Sequence, residues 1–395
     1  MTMRVTRAIW GIAAGGLVLS LAAVGRAEEE KPPTIEERVG RIEEKIQGFL
    51  GDMDLGGYVE SSFSWSSANA PDNDIVGRSF DRKDTEFMLN AFQLTLSKPV
   101  ATDKWDAGFS TKLLFGQNAT LIQSAGLSLG GQGDLEEGYV VLNAPLGNGL
   151  QFKGGKWVTL MGVEVIEDIL NPTWSEGNQF LFAENFTGTG LEVSYRWTDM
   201  IDTQFRVYNG WDVVEDNNEA VSFMGRLGIA PLDGTLISIV PYGGPEQSNN
   251  NSDYRAGVNV VVSQKVFDHL TLFGQADYGH EDQNKALPDP NDDAQWWALG
   301  LWGLYDMTDN LGIGFRADYF DDQDGARTSG APFTAPYPVN TDNEMWSLTV
   351  SLNSKLWEHV LIRPEVRYDH SSVHDAFGDS KSQFTLGMSV AYILL

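Results

Sequence analysis

From residue 54 to the C-terminus the chain repeats one pattern: short runs in which apolar and polar or small side chains alternate with a period of two. The final run, QFTLGMSVAYILL, shows it most plainly. Phe384, Leu386, Met388, Val390, Tyr392 and Leu394 occupy even positions, with Thr385, Gly387, Ser389 and Ala391 between them. Successive side chains of an extended strand face opposite sides, so this strand has one greasy face and one that is not. What the greasy face touches, protein core or lipid, decides the fold.

Sixteen such segments follow one another, at 55–65, 87–96, 105–115, 134–144, 150–160, 190–197, 202–211, 220–230, 234–240, 253–263, 270–279, 294–305, 311–320, 344–353, 359–369 and the terminal run. Most approach the roughly 9–11 residues that cross a bilayer when tilted. Their connections alternate between tight turns such as LGNG and PLDG and long Asp/Asn-rich loops such as 66–85, 116–133, 281–293 and 321–343. A soluble sandwich has no reason to sort its loops by length, whereas an outer-membrane barrel does. Over 311–319, Leu311, Ile313, Phe315, Ala317 and Tyr319 alternate with Gly312, Gly314, Arg316 and Asp318, so both faces of the strand meet a solvent, one lipid and one water. Trp65, Trp105, Trp197, Trp211, Trp296, Trp346, Tyr319 and Tyr368 crowd strand ends, as interfacial girdles require. The pattern predicts an all-β transmembrane antiparallel β-barrel of about 16 strands, the last closing against the first.

The N-terminal 53 residues read differently. Residues 1–27 join Arg4 and Arg7 to an apolar run and a small-x-small end at Gly25-Arg26-Ala27, a signal peptide pattern that outweighs a membrane anchor because the run is short for a span. No later stretch holds 18 consecutive apolar residues, and barrels are the other way to cross a bilayer with every backbone group paired. Within 28–53, Ile35, Val39, Ile42, Ile46 and Leu50 form an apolar stripe behind an N-cap at Thr34 and Glu37. This predicts a periplasmic helix over 34–50, either packed on the remainder of the chain or forming a short coiled coil. The domains are therefore 1–27, a signal peptide, 28–53, a periplasmic helical segment, and 54–395, the outer-membrane barrel.

Charge and composition narrow the function. The signal segment has three Arg and no acid, so its removal takes the formal net charge from −28 to −31. So acidic a chain repels phosphates, and no nucleic-acid partner is expected. With no cysteine there is no disulfide, thiol nucleophile or covalent haem attachment, and no cofactor is expected. The histidines at 269, 280, 359, 370 and 374 show no pairing that would activate a serine, so no catalytic residue and no enzyme is expected. His370 and His374 beside Asp369 and Asp375 read as a solvated loop, and the run 320–331 lacks acids at the first and last positions of a calcium loop, so no metal site is expected. Acidic loops such as 289–294 are expected to meet lipopolysaccharide through divalent ions.

A channel's chemistry lies in its lumen. With the greasy residues outward, Arg196, Arg206, Arg226, Arg255, Arg316, Arg363 and Arg367 point inward, as does Lys112. The third long connection, 161–186, carries Glu164, Glu167, Asp168, Glu176 and Glu184. An acidic loop folded in against a basic wall would make a charged constriction for small hydrophilic solutes or ions. The plainer reading is that the arginines pair with lumen acids such as Glu192, Asp318 and Glu365 and hold the wall in shape. An alternative from another class is a barrel that sheathes or anchors a partner, a periplasmic electron carrier or peptidoglycan.

GGKWVTLMGVEVIED (154–168), FTGTGLEVSY (186–195), NGWDVVEDNN (209–218) and IRPEVRYD (362–369) resemble sequence blocks of the OmpL-like β-barrel porins of Gram-negative bacteria. The resemblance spans most of 54–395 and implies a porin of the outer membrane that passes small hydrophilic solutes, with lipid and lipopolysaccharide around it and a homotrimer as its expected assembly. This chain departs from the pattern at Met161-Gly162, where the family suggests Pro-Gly, and at Gly188, where it suggests His.

Overall fold

The computed structural model describes residues 53–394 except 128–130, 286 and 329–341, together with residues 34, 35, 39, 41 and 51. The expected signal segment lies outside the described residues, as do most positions of the expected helix over 34–50. The chain divides into Met1–Gly51 and Asp52–Leu395, and the second unit carries all the described strands.

Those strands are β1 (Asp54–Ser66), β2 (Glu86–Lys98), β3 (Asp106–Phe115), β4 (Gly133–Ala144), β5 (Leu150–Val158), β6 (Thr187–Arg196), β7 (Ile201–Tyr208), β8 (Ser222–Ile229), β9 (Thr235–Pro245), β10 (Tyr254–Phe267), β11 (Leu270–Glu281), β12 (Ala294–Thr308), β13 (Leu311–Asp322), β14 (Asn343–Leu356), β15 (Val360–Ser371) and β16 (Ser382–Leu394). Each pairs antiparallel with its sequence neighbours, and β16 closes on β1 in the register Gly57↔Leu394 to Ser66↔Thr385. Each of the sixteen expected segments overlaps one of these strands. Closure removes both sheet edges, which is what allows a sheet to stand in lipid.

The alternation sets what faces where. On β16, Phe384, Leu386, Met388, Val390 and Tyr392 are exposed while Thr385, Ser389 and Ala391 are buried. The same outward row continues through Val59, Val140, Phe205, Leu301, Phe315, Val350 and Val366. An apolar surface this extensive on a closed barrel is a lipid-facing belt. A charge at its middle should be costly: Met388→Arg is expected to destabilise the inserted barrel by about 2–4 kcal/mol, measured as unfolding free energy in lipid vesicles. Trp346 packs on Tyr368 at 5.3 Å and Trp297 on Tyr319 at 5.0 Å in the girdle. Two of the aromatics expected there turn inward instead. Trp296 is fully buried, because it shares its face with Ala298 and Trp302, and Trp211 packs on the inward-facing Tyr242 at 5.5 Å.

The interior is filled by loops rather than left as bare wall. The long loop 159–186 has both ends tied where Thr159 N–H donates to the Phe186 carbonyl at 2.9 Å, and between them it carries a 3₁₀ turn at Asp168–Leu170 and a π-helical turn at Gln179–Ala183. Phe180, Phe182 and Phe186 of this loop join Phe80 and Val76 of the first long loop, Leu121 and Ile122 of helix α1 (Gln117–Ile122), Phe320 and Phe377 in one apolar cluster. A second cluster, Trp157, Met161, Tyr208, Met224, Val240 and Tyr242, forms on the β5–β9 side.

Candidate functional site: the third long loop and the wall it docks on

An irregular loop inside a barrel must find partners for its backbone polar groups. The inner wall supplies them side chain by side chain. Wall acceptors receive loop N–H groups: Asn259 from Gly162 at 3.2 Å, Gln275 from Val163 at 2.8 Å, Glu365 from Trp174 at 2.8 Å and Asp318 from Asn178 at 2.9 Å. Wall donors serve loop carbonyls: Arg363 bonds that of Asn171 at 2.9 Å, Arg367 that of Glu176 at 2.6 Å and Asn353 that of Pro172 at 3.0 Å. Small residues give the room. A Cβ on Gly314 would overlap the Pro172 carbonyl, one on Gly387 the Trp174 ring and one on Gly300 the Gln179 amide.

The seven arginines take three kinds of position. Arg316, Arg363 and Arg367 lie under the loop, all at most 1% exposed. Arg316 donates to Glu164 at 2.7 Å, Thr173 at 3.0 Å and Thr349 at 2.9 Å, and Arg367 pairs with Asp369 at 2.7 Å. Arg206, Arg226 and Arg255 lie on the other arc of the wall. Arg206 pairs with Glu192 at 2.7 Å and lies over the Trp157 ring, Arg226 pairs with Asp202, and Arg255 pairs with Glu281 at 2.8 Å and lies over Trp211. Arg196 ends β6 at the short-turn rim, mostly exposed, where it pairs with Asp199 at 3.1 Å. That rim holds a cavity of about 790 Å³, lined by Gln151, Ser194, Arg196, Asp202 and Gln204 among others.

The loop acids divide as well. Among the described residues, Glu164 pairs with Arg316 and Glu167 with Lys112. Glu184 accepts from the Gln275 amide. Asp168 and Glu176 are buried without an ion pair among the described residues. Burial first, then neighbouring carboxylates, pushes Asp168, Glu176 and Glu184 well above the usual carboxylate range.

Sequence reasoning did not single out Asp277 or the inward glycines as loop contacts, although their parity was the available signal. It also missed Arg78 of the first long loop, which is fully buried and reaches Asp81 at 3.0 Å and Asp369 at 2.8 Å.

The far end of the loop has a pH-sensitive anchor. Asp212, in the connection after β7, accepts the N–H groups of Phe186 and Thr187 at 2.7 and 2.8 Å. Burial pushes its pKa up to about 6. Folding therefore raises this pKa above the ordinary carboxylate value, so the folded segment binds the proton more tightly and the anchor weakens as pH rises from about 4 to about 6. Amide exchange at Phe186 and Thr187 should quicken across that window, and Asp212→Asn, which keeps an acceptor, should flatten the dependence.

Residues 52–394 match the family described as "Putative beta-barrel porin-2, OmpL-like". No curated protein matches the chain. Among solved structures, an anion-selective porin from Comamonas acidovorans superposes with a TM-score of 0.61 at 10% identity, over 87% of this chain and 99% of that one. The outer membrane channel DcaP of Acinetobacter baumannii gives 0.57 at 13% identity, over 87% and 97%. The trimer form of OmpT from Vibrio cholerae gives 0.56 at 10% identity, over 86% and 98%. At such identities the likeness carries the fold and no selectivity. The match over almost the whole barrel places the chain among the OmpL-like β-barrel porins.

Proposed function

We propose that this barrel is a passive outer-membrane channel for small hydrophilic solutes or ions, restricted by the third long loop, with no catalytic step. The observation that carries this reading is the docking of loop 159–186 across the interior through Glu164–Arg316, Trp174–Glu365 and Asn178–Asp318, above a polar cavity at the short-turn end. The charged constriction is the set of loop acids together with Lys112 and the wall arginines. The expected mature chain is strongly acidic, so cations are the favoured ions. A sheath for a threaded partner is less well supported, because the space it needs is taken by the loop's own Phe180, Phe182 and Phe186. Association into trimers is proposed from the OmpT likeness and is testable by crosslinking in membranes.

The experiment is single-channel recording in a planar bilayer under a salt gradient. Small discrete steps with a cation-selective reversal potential are the expected result. A folded, inserted barrel that passes no current would overturn the channel reading, and an anion-selective potential would overturn the selectivity.

A further inference from the structure

Where the third long loop crosses β1, six carboxylates converge. Glu60 comes from β1, Glu136 and Glu137 from β4, and Glu167, Asp168 and Glu176 from the loop, and all are buried. Two bulges help to gather them. The β1–β2 register shifts at Glu60, and the β3–β4 register shifts beside Lys112, which leaves Glu136 without a partner across the ladder. Bulges of this kind re-aim side chains and recur beside functional sites.

Three cations stand nearby: Lys112 and Arg367 are paired with other carboxylates, and Arg363 is the one whose charge reaches Glu60 and Asp168. Lys112 serves Glu167, Glu137 and Glu136. Arg363 gives its hydrogen bonds to Asn353 and to the carbonyls of Asp168 and Asn171. Glu60 and Asp168 are left facing each other, both fully buried and without an ion pair among the described residues. Among the described residues, no other side chain donates to their four carboxylate oxygens, which meet each other, the Ser389 hydroxyl and the Ile169 N–H. Two neutral groups point the same way, the hydroxyls of Tyr58 and Ser389, each at most 1% exposed, and the Tyr58 hydroxyl lacks a partner among the described residues. The Tyr58 hydroxyl faces Asp168 and Glu60, and Ser389 faces Glu60.

We propose that Glu60, Asp168 and the hydroxyls of Tyr58 and Ser389 form a calcium site that fastens the third long loop to β1. Glu60, Asp168 and the neighbouring Glu176 set three buried carboxylates against the single guanidinium of Arg363, an excess of two negative charges that a buried setting strongly disfavours. A shared proton cancels one of the two charges, whereas a divalent cation cancels both. The donor set is all oxygen, which selects a hard cation. Carboxylates on two separate segments suit calcium's loose geometry better than magnesium's strict octahedron, and water completes the shell. The site stands whether or not the barrel conducts.

The test uses the folded barrel in detergent, stripped with chelator and titrated with terbium under excitation in the aromatic band. One saturable site per chain is expected, displaced by calcium and poorly by magnesium. Binding should weaken at least about tenfold in Glu60→Gln and in Asp168→Asn. Tyr58→Phe should alter the sensitised emission. Asp168 lies in a loop outside the strand ladder, so its variant keeps barrel closure, which heat-modifiable gel migration verifies. Unchanged affinity in both variants would place the ion on the exposed loop acids and overturn the proposal. So would the absence of a saturable site, which would leave the pair holding a shared proton.

Discussion

Excision of the third long loop, with residues 164–181 replaced by a short Gly/Ser linker, is expected to raise single-channel conductance at least about threefold while the barrel still folds. The strand ladder is complete without the loop, since every strand pairs with its neighbours and β16 closes on β1. The two ends of the loop already meet at Thr159 and Phe186, so a short linker bridges them without pulling on β5 or β6. The excision removes Trp174 and Phe180 from the interior and returns Arg316, Arg363, Glu365 and Arg367 to water, where their charges are well solvated. If conductance does not change, the restriction lies instead in the first long loop and α1, which pack into the same apolar cluster through Val76, Phe80 and Leu121. The two explanations separate cleanly, because truncating 67–85 would then have the effect that excising 164–181 lacked.

Much of the fold was legible because period two reports which face a side chain takes. Leu311 to Tyr319 and Phe384 to Tyr392 divide outward from inward as their alternation requires. Parity does not report depth or partner. Arg226 and Arg316 both face inward, yet Arg226 pairs with Asp202 near the short-turn end, whereas Arg316 lies fully buried under the third long loop and pairs with Glu164, 152 residues earlier in the chain. Nor does parity survive a bulge. Glu136 and Glu137 are adjacent in sequence and both buried, which strict alternation forbids. The inward glycines at 300, 314 and 387 were readable as missing side chains on a polar face, but only the folded loop shows that Gln179, Pro172 and Trp174 fill the gaps. The fold thus follows from local chemistry, and the candidate site from long-range contacts that no local pattern encodes.

Arg316→Ala is expected to weaken docking of the third long loop by about 3–5 kcal/mol, because it leaves buried charges without their partner. The guanidinium is fully buried and bonds Glu164, Thr173 and Thr349 together with the Ser175 carbonyl, and it lies 3.4 Å from Asp318. Without it, Glu164 keeps the Gly177 N–H and the Trp302 indole N–H but loses its cation. Arg316→Lys should rescue little, since a point charge cannot serve four acceptors in the plane of a fork. A double variant, Arg316→Met with Glu164→Gln, should recover part of the loss, because replacing both partners removes the uncompensated charge as well as the bond. The loss concerns the loop rather than the strand ladder. It should therefore appear as protease cleavage and fast amide exchange within 164–181, with the barrel's own unfolding little changed. High salt should not reproduce it, since screening reaches exposed charges far more than buried ones. A loop that stays equally protected in Arg316→Ala would show that the hydrogen bonds of Glu365, Asp318 and Arg367 to its backbone hold it without the ion pair.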